Sequence, residues 1–94
     1  VLYCHFPIFP EDIHNLWNAD EVIKTIESYP CVKAYINGHN HKGNYGIKNG
    51  IHYLTLQGMV DTEETSYAVI SVAKNRLVLT GYGREEDKIM KLNQ

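Results

Sequence analysis

Three histidines carry the strongest chemical signal in this sequence. His39 and His41 stand two apart in Gly38-His39-Asn40-His41, and His5 closes the apolar start Val1-Leu2-Tyr3-Cys4. Imidazole nitrogen suits zinc, manganese, iron, cobalt and nickel alike. Two imidazoles at this spacing share one side of an extended segment, or splay around a metal pair where a glycine opens the loop. Gly38 is expected to supply that tight turn and close approach. Three neutral rings bring no negative charge, so carboxylates must complete a site for two divalent cations. A His-x-His pair also has a plain reading as surface histidines. Placement distinguishes this one, behind a glycine and after an expected strand.

Other chemistry finds little support. There is no Gly-x-Ser-x-Gly elbow and no Walker loop. Cys4 and His5 are neighbours, which on a strand face opposite ways, so they form no nucleophile–base pair. His14, in a proline-flanked loop, and His52, within a strand, read as ordinary surface or packed histidines. Asp12, Asp20, Asp61 and Asp87 read as solvated or capping residues. Tyr45 is a candidate to stack on a substrate base, beside the plainer reading that it packs on its hairpin.

The elements that must position the histidines follow from patterning. Residues 1–5 read as a buried strand rich in β-formers. Pro7 and Pro10 make 6–18 mostly loop, with room for a helical turn within 11–17. Asn18 and Glu21 have capping-box spacing, and Val22, Ile23, Ile26 and Tyr29 share one helical face up to Pro30. Residues 32–37 form a second strand and 38–46 a loop with three glycines. Residues 45–48 and 51–56 flank Asn49-Gly50, a strong hairpin signal. Residues 67–73 and 76–82 form another hairpin around Lys74-Asn75. The tail 83–94 is polar, with Ile89, Met90 and Leu92 as anchors. If the first two strands are parallel and joined by the helix, their C-terminal ends share the edge where open α/β sheets bind ligands. That topology brings His5 to His39 and His41.

The fold class is therefore α/β: strand-helix-strand followed by an antiparallel β-meander. One helix cannot cover both faces of a five- or six-stranded sheet. Apolar surface near 51–56 and 67–72 is expected to lie exposed or against a second copy, which makes a homo-oligomer a candidate assembly.

Composition bounds the rest. The chain has 94 residues, 44% hydrophobic and 21% charged, which suits one small globular domain and excludes wholesale disorder. No apolar run nears the roughly 18 residues of a membrane span. A net charge of −2 argues against nonspecific grip on nucleic acid or anionic lipid. Cys4 and Cys31 are too few for a disulfide framework and read as small buried thiols in a reducing, cytoplasmic setting. A start at Val1, with no leader, gives the expectation that the chain is a piece of something longer.

The segment Cys4-His5-Phe6-Pro7 followed by Gly38-His39-Asn40-His41 resembles the last two motifs of the calcineurin-like metallophosphoesterases. The helix and strand between them look like that family too. The likeness continues through Gly43, Tyr45, Gly46, the hairpin, Gln57-Gly58 and Gly81-Tyr82-Gly83-Arg84. That longer pattern is similar to the manganese-dependent ADP-ribose/CDP-alcohol diphosphatase branch.

The resemblance implies a four-layer α-β-β-α sandwich with a two-metal site at one sheet edge. Residues 1–94 would be the C-terminal half of that domain. His5 and His39 would ligate one ion and His41 the other, the ions being Mn, Fe or Zn. It implies water activated between two ions and hydrolysis of a phosphate-containing small molecule, nucleotides among the candidates. The family's Asp-x-His, Gly-Asp and Gly-Asn-His-Asp/Glu motifs are absent here, and Gly43-Asn44-Tyr45 lacks the histidine. The chain would supply three ligands, need the missing N-terminal half, and be inactive alone. The readings from other classes are a non-catalytic metal-binding or interaction module, and an oligomeric β-rich scaffold.

Overall fold

Three parallel strands end on one side of one sheet, and that side carries the histidines. The computed structural model describes residues 1–59, 63 and 65–92. Asp61, read above as a solvated acid, lies outside them. The elements are β1 (Leu2–Tyr3), α1 (Ala19–Glu27), β2 (Ala34–Asn37), β3 (Asn44–Lys48), β4 (Ile51–Thr55), β5 (Ser66–Val72), β6 (Arg76–Gly83) and β7 (Lys88–Lys91). The first sheet has the order β1-β2-β4-β3; β1, β2 and β4 are parallel, and β3 is antiparallel to β4. The second sheet, β5-β6-β7, is antiparallel throughout.

Strand pleating sends alternate side chains to opposite faces. Tyr35, Ile51 and Tyr53 leave the first sheet on one side and meet Ile23 and Ile26 of α1, with Ile8 of the preceding loop. Ala34, Ile36 and Leu54 leave it on the other and meet Leu77, Leu79 and Met90 of the second sheet. The result is three layers, α-β-β. Covered on both faces, β2 and β4 are buried at every residue, which is why they read as near-continuous apolar runs. Each fully buried Leu or Ile contributes about 1.5–3 kcal/mol of transfer free energy.

The single wide sheet expected from the strand count is thus two stacked sheets. The second sheet covers the face of Ile51–Thr55 that one helix could not reach, so that surface is closed within the chain. The other half of the expectation stands differently. Tyr67, Val69 and Val72 are exposed. Tyr67 and Tyr82 stack on the open face with ring centroids 4.8 Å apart.

Several local expectations need correcting. β1 is Leu2–Tyr3 rather than 1–5, and it is exposed, because it is an edge strand with one neighbour. α1 forms where expected but without the capping box: the Asn18 side chain makes no cap hydrogen bond, and its carbonyl accepts from the Glu21 and Val22 amides at 3.0 and 3.2 Å. Asp20 and Glu21 still complement the positive end of the helix dipole. The helix stops at Glu27, so Tyr29 lies beyond its apolar face and is exposed. The polar tail forms a further strand, β7; of its expected anchors Met90 enters the inter-sheet core, Leu92 packs against it and Ile89 faces out. Cys4 and Cys31 are free and exposed rather than buried, one beyond an edge strand and one in the loop after α1. The hairpin turn is as read, with Asn49 and Gly50 at φ 50° and 78°.

Candidate metal centre

The parallel ladder continues past the strand ends and aligns the loops beyond them. The Cys4 amide donates to the Ile36 carbonyl at 3.1 Å, and Gly38 to His5 at 3.0 Å. Leu56 donates to Asn37 at 2.9 Å, and Gly58 to His41 at 3.0 Å. His5 after β1, His39 and His41 after β2, and Gln57-Gly58 after β4 therefore lie side by side on one edge. This is the C-terminal edge at which open α/β sheets bind ligands.

All three histidines line one cavity of about 850 Å³. The His5 and His39 rings meet edge to face with centroids 5.2 Å apart. Phe6 packs against both, at 4.9 and 4.7 Å. The His41 ring rests on Gly58, where an added Cβ would stand 2.9 Å from it.

The turn that aims them differs from the expected one. His39, not Gly38, takes the left-handed conformation, with φ 68°. A Cβ at Gly38 would meet the His5 carbonyl oxygen at 3.8 Å, an ordinary contact. A bulky residue in this region costs on the order of 1–3 kcal/mol and persists only where its surroundings enforce it. Here the Asn40 amide bonds the Gly38 carbonyl at 2.8 Å and the Gly43 amide bonds Asn40 at 2.9 Å, closing the turn on both sides of His41.

A fourth imidazole reaches the same rim. His14 lies 5.2 Å from His39, ring to ring, although its loop position read as ordinary. Asp12 holds it there: one carboxylate oxygen accepts the His14 amide at 2.9 Å, and the other accepts the Asn40 side-chain amide at 3.4 Å. The one sequence signal was the proline-bent loop itself, which folds back so that the Leu16 amide bonds the Pro7 carbonyl at 3.0 Å.

Partial burial holds the His39 imidazole below its ordinary pKa, and the neighbouring His14, His5 and His41 add to the effect in that order. The shift favours the neutral imidazole, the form that ligates metal. Among the described residues, no three of His, Cys, Asp and Glu come together closely enough to enclose one ion. The donor set is partial and all imidazole. It fits a borderline divalent cation and leaves the carboxylate share to be supplied from elsewhere.

Tyr45 does not line this cavity. Its hydroxyl meets His52 Nδ1 at 2.6 Å, its ring stacks on the His52 ring with centroids 6.0 Å apart, and the Lys88 ammonium lies 5.7 Å from the centroid of the Tyr45 ring. His52 Nε2 meets the Lys91 carbonyl at 2.5 Å, so the pair ties β3 and β4 to β7.

No protein-family model matches the chain. It is 35% identical over 92 residues to the manganese-dependent ADP-ribose/CDP-alcohol diphosphatase of Xenopus laevis, covering 92% of this chain and 26% of that protein. It is 31% identical over 96 residues to the Mus musculus protein of the same name, covering 96% and 28% respectively. The chain thus spans roughly a quarter of the length of the curated relatives it matches. A crystal structure of a dimetal phosphatase from Danio rerio superposes with a TM-score of 0.87 at 28% identity, over 95% of this chain and 30% of that one. The α-β-β layers are part of the dimetal phosphatase fold. In sequence and in backbone alike, the chain resembles part of a calcineurin-like metallophosphoesterase of the manganese-dependent ADP-ribose/CDP-alcohol diphosphatase branch.

Proposed function

We propose that this chain supplies part of a metal-dependent phosphohydrolase that cleaves a phosphoester or a nucleoside-diphosphate-type pyrophosphate bond. The observation that carries the reading is the convergence of His5, His39 and His41 on one cavity at the parallel strand ends. Likeness to proteins named for a manganese-dependent diphosphatase activity supports it.

In this reading His5 and His39 hold one divalent ion and His41 a second, with manganese the first candidate. Such ions, when bound, make water acidic enough to act as a nucleophile near neutral pH and offset charge on phosphoryl oxygens. The chain's own residues do the positioning. The strand ends fix the spacing of the imidazoles, the left-handed turn at His39 aims two of them, and Phe6 packs against the His5 and His39 rings. Residues 1–94 act as the C-terminal half of the domain. The carboxylate donors and the N-terminal half come from outside them, so the chain alone hydrolyses little or nothing. A cytoplasmic setting is part of the same proposal, resting on the low cysteine count of the sequence.

The test is His39→Ala and His41→Ala in the intact protein that contains this chain. Each is expected to cut turnover of a nucleoside-diphosphate-type substrate by orders of magnitude while the thermal midpoint stays near that of the parent. Wild-type rates in either variant refute the assignment.

A further inference from the structure

Behind His41 runs the two-residue strap Gln57-Gly58. Gly58 donates its amide to the His41 carbonyl at 3.0 Å, and its bare α-carbon receives the His41 ring. The strap is gripped from both sides by adjacent residues of opposite charge. Glu85, 6% exposed, accepts the Gln57 amide on Oε2 at 2.9 Å. Arg84 donates from Nη1 to the Gly58 carbonyl at 3.0 Å. Both bonds are charge-assisted, the stronger class of protein hydrogen bond.

The grip comes from the second sheet, not the sheet that carries the histidines. Arg84 and Glu85 follow β6, in a turn closed by bonds from Arg84 to the Thr65 carbonyl at 3.0 Å and from Glu85 to the Tyr82 carbonyl at 3.3 Å. The Gly81 amide donates to Asp87 Oδ1 at 2.8 Å. A Cβ at Gly81 would stand 2.5 Å from the Glu85 carbonyl carbon, so this turn needs glycine there. The Gly81-Tyr82-Gly83-Arg84 pattern therefore places two charged side chains on the strap.

We propose that Arg84 and Glu85 are positioning residues for His41, clamping Gln57-Gly58 so that the imidazole is held at the cavity rim. The inference rests on the metal reading of that rim, but its geometry does not depend on metal. Groups that orient a ligand from outside commonly change metal affinity by about 10–100-fold.

The experiment compares the intact protein that contains this chain with its Glu85→Ala, Arg84→Ala, Glu85→Gln and Arg84→Lys variants, by amide hydrogen exchange of the metal-free protein and by NMR line broadening on titration with manganese chloride. Both alanine variants are expected to speed Gly58 exchange at least about tenfold, with β6 and β7 amides unchanged. They are expected to need about tenfold more manganese to broaden His41, with His5 unaffected. Glu85→Gln keeps an acceptor and Arg84→Lys a cationic donor, so both should recover most of the loss. If Glu85→Ala unfolds, Arg84→Ala gives the same two readouts with the buried carboxylate still bonded. Unchanged Gly58 exchange in the alanine variants overturns the proposal, as does a loss spread equally over His5. Absence of manganese broadening at all three histidines of the unsubstituted intact protein counts against the metal reading alone, because Gly58 exchange is measured without metal.

Discussion

The rings of His5 and His39 lie 5.2 Å apart, edge to face, although 33 residues of loop, helix and strand separate them in the chain. The parallel pairing of β1 with β2 produces that meeting, with Leu2 opposite Tyr35 and Tyr3 opposite Ile36. The same register brings the His5 carbonyl to the Gly38 amide at 3.0 Å. Strand pairing, and not a local loop motif, sets the distance between the two candidate ligands.

His39→Asn separates ligation from folding. Asparagine tolerates the left-handed region better than most residues, so the turn at φ 68° should survive. The expected change in unfolding free energy, read by urea denaturation, is within about 0.5 kcal/mol. Manganese broadening of His5 should weaken in the same variant, because its neighbouring donor is gone. A large loss of stability would mean the imidazole is held for packing.

Gly58→Ala puts a methyl group 2.9 Å from the His41 ring. Relief requires the ring or the strap to move, and overpacking of this kind costs about 1–3 kcal/mol. The expected signature is a lowered thermal midpoint together with a shifted His41 ring resonance. An unmoved His41 resonance would show that the rim gives way more easily than its contacts imply.

Tyr35 links stability to alkaline pH. Burial raises its phenol above the ordinary value, with the nearby Cys4 adding to the effect, and its hydroxyl donates to the Phe6 carbonyl at 2.8 Å. A folded pKa above the unfolded one of about 10 means that the folded state keeps its proton longer. The stability this contributes is complete below pH 10 and is lost as pH rises above it. Burial raises Tyr45 and Tyr53 in the same direction. Denaturation midpoints should fall above pH 10, and the fall should be shallower in Tyr35→Phe. An identical slope would assign the alkaline loss to other groups.

Tyr45→Phe tests the tie between β3, β4 and β7. It keeps the ring but removes the hydroxyl from buried His52 Nδ1, now 2.6 Å away. Leaving a buried polar atom unpaired costs about 1–3 kcal/mol. Chemical denaturation should show that loss, with manganese broadening of His39 and His41 unaltered. A change at the histidines would connect Tyr45 to the rim after all.

What could be read from residues alone is local or periodic. Three histidines stood out by type and spacing, Asn49-Gly50 by its turn chemistry, and Ile23 and Ile26 by helical period. The expected strand-helix-strand order also carried the right edge, because a crossover between parallel strands leaves their C-terminal ends together. Tertiary structure decided what depends on pairs remote in the chain. Whether the later strands extended the first sheet or stacked on it turned on which apolar face met which, and Met90 against Leu54 is not a sequence pattern. The left-handed turn fell to His39 because the loop closes around Asn40, a constraint invisible from the glycine beside it. His14 joined the rim through Asp12 and a folded-back loop. Arg84 and Glu85 reached the strap behind His41 only because the two sheets stack. Side-chain type is written one residue at a time, whereas a site made of neighbours exists only after folding has chosen the neighbours.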